Sequence, residues 1–316
     1  MYEIDQRHQK LMNQFPLISI ITVNFNHSET TLELLESLYG VTYPNIEVIV
    51  VDNASPDDNP KIMKEKYPSI ILIESIVNYG FAGGNNLGIM RARGEFVLLL
   101  NNDVVVPSDF LEPLVQKFLD HPNYGAISPK IIYHHTPDTI QYVGFTEIDS
   151  RTVRNMTIGK GEKDVGQYNE DTETAYAHGA AMMVPMSVIK HVGMMSYEFF
   201  LYYEEADWCN RIRDAGYKIG YVHNSKVYHK ESVTTGKLSE LKTYYLTRNR
   251  LVYMRRNIHG SDFYISLLYQ IFIAIGKNAL VFFLKGKWKM FWAHVRGINW
   301  NISHMFDVEI HDNPRL

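Results

Sequence analysis

The feature that most constrains this chain is a repeated order: a β-branched apolar run, a polar stop, then a segment with helical spacing. PLISIITVNFN (16–26) and IEVIVVDNAS (46–55) place Ile and Val on successive positions, as strands buried on both faces do. Between them, ETTLELLESLYG (29–40) carries Leu32, Leu35 and Leu38 at helical spacing and closes on a glycine. A helix from about Pro60 to Tyr67, a third strand IILIES, the loop NYGFAGGNN, a helix through Arg93 and the strand EFVLLLNND continue the order. Strands alternating with helices imply an α/β fold with an open, mainly parallel sheet covered on both faces. Ligands of such sheets bind beyond the carboxyl ends of the strands. Here those ends carry Asn24, Asn26, Asp52, Asn53, Asn78 and the triplet Asn101 to Asp103.

Past Pro107 the pattern loosens. The region from Ser128 to Glu173 mixes short strands with the polar stretch GKGEKDVGQYNEDTET, expected to be a mobile loop. AYAHGAAMMVP reads as a strand of small residues, FFLYYEEADWCNRIRDAGY as one helix, and KIGYVHNSKVYH as one or two strands. From Leu238 to Ile302 the chain reads as helical and carries aromatic and basic residues. The expected organisation is an N-terminal extension (1–15), a catalytic domain (16–237, split near 107), and a C-terminal helical region (238–316). A net charge of −4 provides no global basic field for nucleic acid. The single cysteine, Cys209, excludes an internal disulfide and suits a reducing compartment. MYEIDQRHQK is polar and mixed in charge, unlike a secretory signal, so a cytoplasmic location is expected. The glycosylation-type triplets at Asn53, Asn155 and Asn301 then read as chance.

Each chemical signal has a plain structural alternative. Asp103 stops an apolar strand and offers a hard oxygen to a divalent cation, or merely starts the turn before Pro107. Asp52 and Asn53 suit a ribose or a base edge, or an Asx-turn into SPDD. The glycines of NYGFAGGNN let backbone amides approach an anion, or form a flexible loop; neither the dinucleotide fingerprint nor the P-loop is present. Glu204, Glu205 and Asp207 sit among aromatics, where crowded carboxylates make a general base, or are first-turn acids favoured by the helix dipole. On a helix Glu204 and Asp207 share a face, with Glu205 about 100° away. His229, closing KVYH, could be a metal ligand or one ordinary histidine among 13.

In order and spacing, SIITVNFN, VIVVDNASPDD, NYGFAGGNNLGI, GEFVLLLNND, YYEEADWCNRIRDAGY, VYHKESVTTG and YYLTRNRLVYMRRN resemble a family 2 glycosyltransferase. The resemblance is to the inverting GT-A type, close to its rhamnosyltransferase-like branch, and covers residues 18–257. It implies a GT-A fold with a C-terminal helical extension. The implied reaction moves a sugar from a nucleoside-diphosphate donor, dTDP- or UDP-linked, to a hydroxyl of a glycan or lipid-linked glycan. Such activity belongs to bacterial cell-surface polysaccharide synthesis. Val23, Asn26, Asp52 and Asn53 would hold the nucleoside, and Asn78, Gly80, Phe81, Gly83, Asn85 and Asn102 would line the nucleotide-sugar pocket. Asp103, in the place of the family's DXD motif, would bind Mg2+ or Mn2+ with help from His229. Asn101 replaces the first acid of that motif. Glu205 would be the base, with Glu204, Asp207, Trp208 and His178 around the acceptor.

Two other readings differ in class. A nucleotide-sugar-binding protein that has lost transfer is kept in view by Asn101; a nucleotidyltransferase is disfavoured because IITVNFNHSET lacks a Gly-rich, basic triphosphate signature. GKNALVFFLKGKWKMFWAHVRG (276–297) mixes lysines with Trp and Phe, which suits peripheral contact with the inner face of the plasma membrane, or equally helices packing on the catalytic domain or on a homodimer partner. Gln270, Lys277 and Asn278 argue against a membrane-spanning helix there.

Overall fold

The computed structural model describes residues 15–230, 239–306 and 316; most of the expected N-terminal extension and the residues after Lys230 in VYHKESVTTG lie outside them. The first half runs β1 (Ile18–Asn24), α1 (Ser28–Tyr39), β2 (Ile46–Asp52), α2 (Lys61–Lys66), β3 (Ile71–Glu74), α3 (Gly80–Arg91), β4 (Phe96–Leu100), β5 (Val104–Val105) and α4 (Leu111–Asp120). The second runs β6 (Tyr124–Tyr133), β7 (Ile140–Tyr142), β8 (Thr172–Glu173), β9 (Ala181–Pro185), α5 (Met186–Val192), a 3-10 turn (Tyr197–Phe199), α6 (Glu204–Asp214) and β10 (Lys218–His229). Four helices close the described chain: α7 (Glu240–Asn257), α8 (Gly260–Tyr269), α9 (Gly276–Leu284) and α10 (Trp288–Ser303), a π-helical segment (Gln270–Ile275) joining α8 to α9.

One sheet organises the molecule, in the order β3-β2-β1-β4-β9-β6-β10-β5. The expected α/β architecture holds, but the sheet is mixed. β3, β2, β1 and β4 are parallel, as are β6 and β10, whereas β9 runs antiparallel between β4 and β6. Alternate residues of β1 and β4 feed opposite cores, as a period of two requires. Ile20, Leu98 and Leu100 pack with Leu34 and Leu38 of α1 and Leu114 of α4. Ile21, Val97 and Leu99 pack with Ile89 of α3 and Trp208 and Ile212 of α6.

Four local expectations change. The glycine-rich loop is the first half of α3, despite the poor helix propensity of glycine. A Cβ on Gly84 would come within 2.9 Å of Val23, and one on Gly88 within 2.3 Å of Ile21, so the small residues let α3 lie directly on β1. The polar stretch after Gly159 is docked: the buried Lys130 Nζ donates to Asp164 and Asn169 at 3.0 Å, and Tyr221 Oη donates to the carbonyl of Tyr168 at 2.8 Å. The expected helix through FFLYYEEADW starts only at Glu204. Phe200, Tyr202 and Tyr203 before it take positive φ of 60°, 71° and 76°. Finally, residues 260–284 form one helical run long and apolar enough to cross a membrane, judged by length and composition, with a window of mean hydropathy 1.8 that is only 11% buried. Gln270, one of the polar residues expected to count against a span, is buried and donates to the carbonyl of Thr152 in the catalytic domain.

Candidate active site

A cavity of about 600 Å³ opens at the carboxyl ends of β1, β2 and β4. Of the expected donor-binding residues, Val23, Asn53, Asn78, Gly80, Phe81, Asn85 and Asn102 line it. Asn53 also shapes its wall: its Nδ2 donates to Asn78 Oδ1 at 3.0 Å and to the carbonyl of Gly80 at 2.9 Å, and its Oδ1 accepts from the amide of Tyr79. The first amides of α3 do not await an anion. Those of Phe81 and Ala82 donate to the carbonyl of Phe200, and a Cβ on Gly80 would stand 2.2 Å from that oxygen.

Asn26, Asp52 and Gly83 fall outside the cavity lining. Asp52 accepts from Asn24 Nδ2 (2.8 Å), Ser55 Oγ (2.6 Å) and the amide of Ser55 (3.2 Å), so the Asx-turn alternative describes it. Asn26 braces the same turn, through its amide to Ser55 Oγ and its Oδ1 to the amide of Asp57. Gly83 faces Tyr79 and Tyr197, where a Cβ would lie 2.5 Å from Tyr79 Cβ.

Asp103 and His229 meet because β5 pairs antiparallel with the end of β10. The Asp103 Oδ1 atom is buried, accepts no hydrogen bond, and lies 3.0 Å from His229 Nε2. The other imidazole nitrogen, Nδ1, is 2.9 Å from Gln141 Oε1. An acceptor oxygen there calls for the proton on Nδ1 and leaves a lone pair on Nε2. A buried carboxylate oxygen without a hydrogen bond beside an imidazole lone pair is a donor set that would suit a divalent ion. Among the described residues no cluster of three or more His, Cys, Asp or Glu exists to hold a metal from the protein alone.

Glu204 and Glu205, at the first turn of α6, line the same cavity. The Oε2 atoms of both are buried without a hydrogen-bond partner. Burial, and then the neighbouring Glu205, push the Glu204 carboxyl well above its usual range; burial raises Glu205 as well. Two crowded carboxyls resist double ionisation, which favours a proton on Glu204 and the charge on Glu205. His178 lies alongside, its ring stacked on Phe145 at 5.6 Å and its Nδ1 accepting from the amide of Ala180. Burial, and then the nearby His229 and Lys160 side chains, lower its pKa to about 3, so it is a neutral donor through Nε2.

Asp207 and Trp208, which the resemblance placed around the acceptor, do not line the cavity. All three acids lie in the first turn of α6, but only the glutamates line the cavity, and Asp207 is buried away from it. There it accepts from Arg256 Nε at 2.7 Å, Arg211 Nε at 3.2 Å and Asn257 Nδ2 at 3.0 Å. Burial alone would raise its carboxyl, but the Arg256 hydrogen bond and both guanidinium charges hold it below the usual range. Trp208 is fully buried and donates to the carbonyl of Gly193 at 2.8 Å.

Sequence reasoning missed Gln141, Lys160, Phe200, Lys242 and Tyr245 in the cavity wall. Lys160 lies in the polar stretch expected to be a mobile loop, and Gln141 has no sequence signal. Phe200 stacks on Tyr245 at 4.9 Å, and the bend that carries it is clamped by the buried Asn249. That side chain's Nδ2 lies 2.7–2.8 Å from the carbonyls of Phe199, Leu201 and Tyr202. The segment YYLTRNRLVYMRRN, which supplied part of the resemblance, thus acts on the site through Asn249.

A family model described as glycosyl transferase family 2 matches residues 19–193. The chain belongs to that family. It is 29% identical over 243 residues to the low-salt glycan biosynthesis hexosyltransferase of Haloferax volcanii, covering 74% of each chain. It is 22% identical to the N-acetylglucosaminyl-diphospho-decaprenol L-rhamnosyltransferase of Mycobacterium tuberculosis, covering 70% of this chain and 78% of that one. Rhamnosyltransferase-like relatives are therefore present, as the resemblance implied. Among solved structures, the mannosyltransferase PcManGT of Pyrobaculum calidifontis, in complex with GDP-Man and Mn2+, superposes with a TM-score of 0.55 at 16% identity. That match covers 93% of this chain and 76% of the other, and supports the GT-A fold.

Proposed function

We propose that this family 2 protein is an inverting glycosyltransferase. It takes a hexosyl or deoxyhexosyl group from a dTDP- or UDP-linked donor and delivers it to a hydroxyl of a glycan or lipid-linked glycan, in cell-surface polysaccharide synthesis. One observation carries the reading: the Asp103–His229 pair and the Glu204–Glu205 pair open into the same cavity. The cavity wall from Asn53 to Asn85 receives the nucleoside diphosphate. Asp103 and His229 would hold Mg2+ or Mn2+, which when bound supplies positive charge for the diphosphate leaving group. Glu205 accepts the proton of the attacking hydroxyl, while Glu204, keeping its own proton, and neutral His178 donate hydrogen bonds to the acceptor. A single displacement inverts the anomeric carbon and needs no protein nucleophile.

The test is a screen of nucleotide sugars for thermal stabilisation with and without Mn2+, followed by transfer assays. Asp103→Asn should remove both the Mn2+-dependent part of donor binding and at least about 100-fold of turnover, with an unchanged melting temperature; His229→Ala should act in the same direction, less severely. Donor binding with no detectable transfer or donor hydrolysis would favour the reading in which transfer has been lost. Near-normal Mn2+-dependent activity in Asp103→Asn removes the metal assignment.

A further inference from the structure

The last helices leave an apolar end uncovered. From Phe263 to Phe306 the sequence has no acidic residue, yet it carries Lys277, Lys285, Lys287, Lys289 and Arg296, in a chain whose net charge is −4. No side chain of α9 is buried. Leu280, Phe283 and Leu284 at its end and Trp288 and Trp292 at the start of α10 are exposed, Leu284 to 73%. The rings of Phe283, Trp288, Phe291 and Trp292 pack edge to face, so the turn between the helices is a single aromatic tip flanked by lysines.

Helix direction decides where this tip lies. Gly297 lies against the carbonyl of Tyr244, Asn301 donates to the carbonyl of Arg248, and Arg255 near the end of α7 donates to the carbonyl of His304. Helices α7 and α10 therefore run the same way, and their first turns lie at one end of the molecule. The first turns of α7 also wall the cavity, through Leu241, Lys242 and Tyr245. Tip and cavity share an end.

The depth the tip can reach is limited. Asp262 accepts from Ser150, Gln270 donates to the carbonyl of Thr152, and His294 Nε2 lies 3.2 Å from the carbonyl of Ile275. These contacts hold one side of the run to the domain as far as Ile275, while Tyr264, Leu268 and Phe272 are exposed. Beyond Ile275 stand the residues of α9, Gly276–Leu284, about 13 Å of helix against a hydrocarbon core of about 30 Å.

We propose that the α9–α10 tip is a docking surface for an anionic lipid bilayer, entering one leaflet and holding the cavity at the lipid surface. Indole rings and lysines beside a short apolar wedge suit the boundary between acyl chains and headgroups, and the absence of acids suits a negative surface. The proposal deepens the transfer reading by placing a lipid-linked acceptor beside the cavity, but the binding itself needs neither donor nor acceptor.

Flotation with vesicles of phosphatidylglycerol and phosphatidylcholine, compared with phosphatidylcholine alone, tests it on the full chain. The protein should float with the anionic vesicles about tenfold more tightly, and less so at high salt. Leu284→Asp with Trp288→Asp, and separately Lys285→Glu with Lys287→Glu and Lys289→Glu, should each weaken binding by about tenfold or more, with melting temperature and donor binding unchanged. A wild-type protein that stays unbound, or variants that bind as it does, overturns the proposal. So does a dimer in light scattering that never floats and separates in the Leu284→Asp, Trp288→Asp variant, since a second copy would then cover the tip. Vesicle binding without any sugar transfer would leave this surface standing and reject the catalytic reading; transfer to a soluble acceptor without vesicle binding would do the reverse.

Discussion

Glu204 and Glu205 differ by one position and by the proton each is expected to carry. Glu205→Gln keeps shape but cannot accept a proton, so turnover should fall by about 10² to 10⁴ while donor binding survives. In the wild type the acid limb of kcat should lie above the ordinary carboxylate value of 4.5, because Glu205 is raised and loses its charge as pH falls through that raised pKa. Glu204→Gln should instead act on stability. A carboxyl whose folded-state pKa is raised favours the fold fully below its unfolded value and loses that contribution as pH rises through the folded value. Gln removes the penalty, so the melting temperature should rise by about 2–4 °C near pH 7 and converge with wild type near pH 4. A scan against pH reads this directly, and a lower melting temperature at pH 7 would contradict the buried-pair account. Asp207 has the opposite sign. Its depressed carboxyl stabilises the fold above the unfolded pKa, and the contribution is lost as pH falls through the folded one. Asp207→Asn should cost about 3–5 kcal/mol in urea unfolding at neutral pH, because Arg211 and Arg256 lose a buried counter-charge. Acceptor KM should stay within about threefold, since the side chain does not reach the cavity.

At the scale of elements, the site depends on a bend that is not a helix. Phe200, Tyr202 and Tyr203 all occupy the left-handed region, which non-glycine residues enter at some energetic cost. Asn249 of α7 holds the bend through three carbonyls, and the carbonyl of Phe200 in turn receives the first amides of α3. Helices distant in sequence thus meet at one turn that forms part of the cavity wall. Asn249→Leu is close in volume but donates nothing, and should cost roughly 1–3 kcal/mol of stability. Turnover should fall further than donor affinity, because Glu204 and Glu205 follow directly from the bend. Urea unfolding with steady-state kinetics on one preparation checks both, and unchanged kinetics would show that the bend holds without its clamp. The exposed α9–α10 tip is the second element whose role depends on its surroundings rather than on its helical form.

For the whole molecule, the sequence by itself determined the α/β order, the strand ends that bear the site, and the family. It could do so because strand burial and helix amphipathicity are local periodicities, and because a polar residue ending an apolar strand marks where the sheet meets solvent. Asp103, Glu205, Asn53 and the NYGF segment were legible on those grounds and reach one cavity. Other features depend on partners far along the chain. β9 runs against its neighbours because the chain returns through the middle of the sheet, which no local pattern encodes. The glycines of α3 are helical because Val23 and Ile21 lie against them, not because glycine favours helix. Asp207 is structural because Arg256, 49 residues on, reaches it first, and Asp52 because Asn24 and Ser55 do. Only tertiary structure could decide these, since an ionised or hydrogen-bonding side chain has no fixed role until the fold supplies the group that satisfies it.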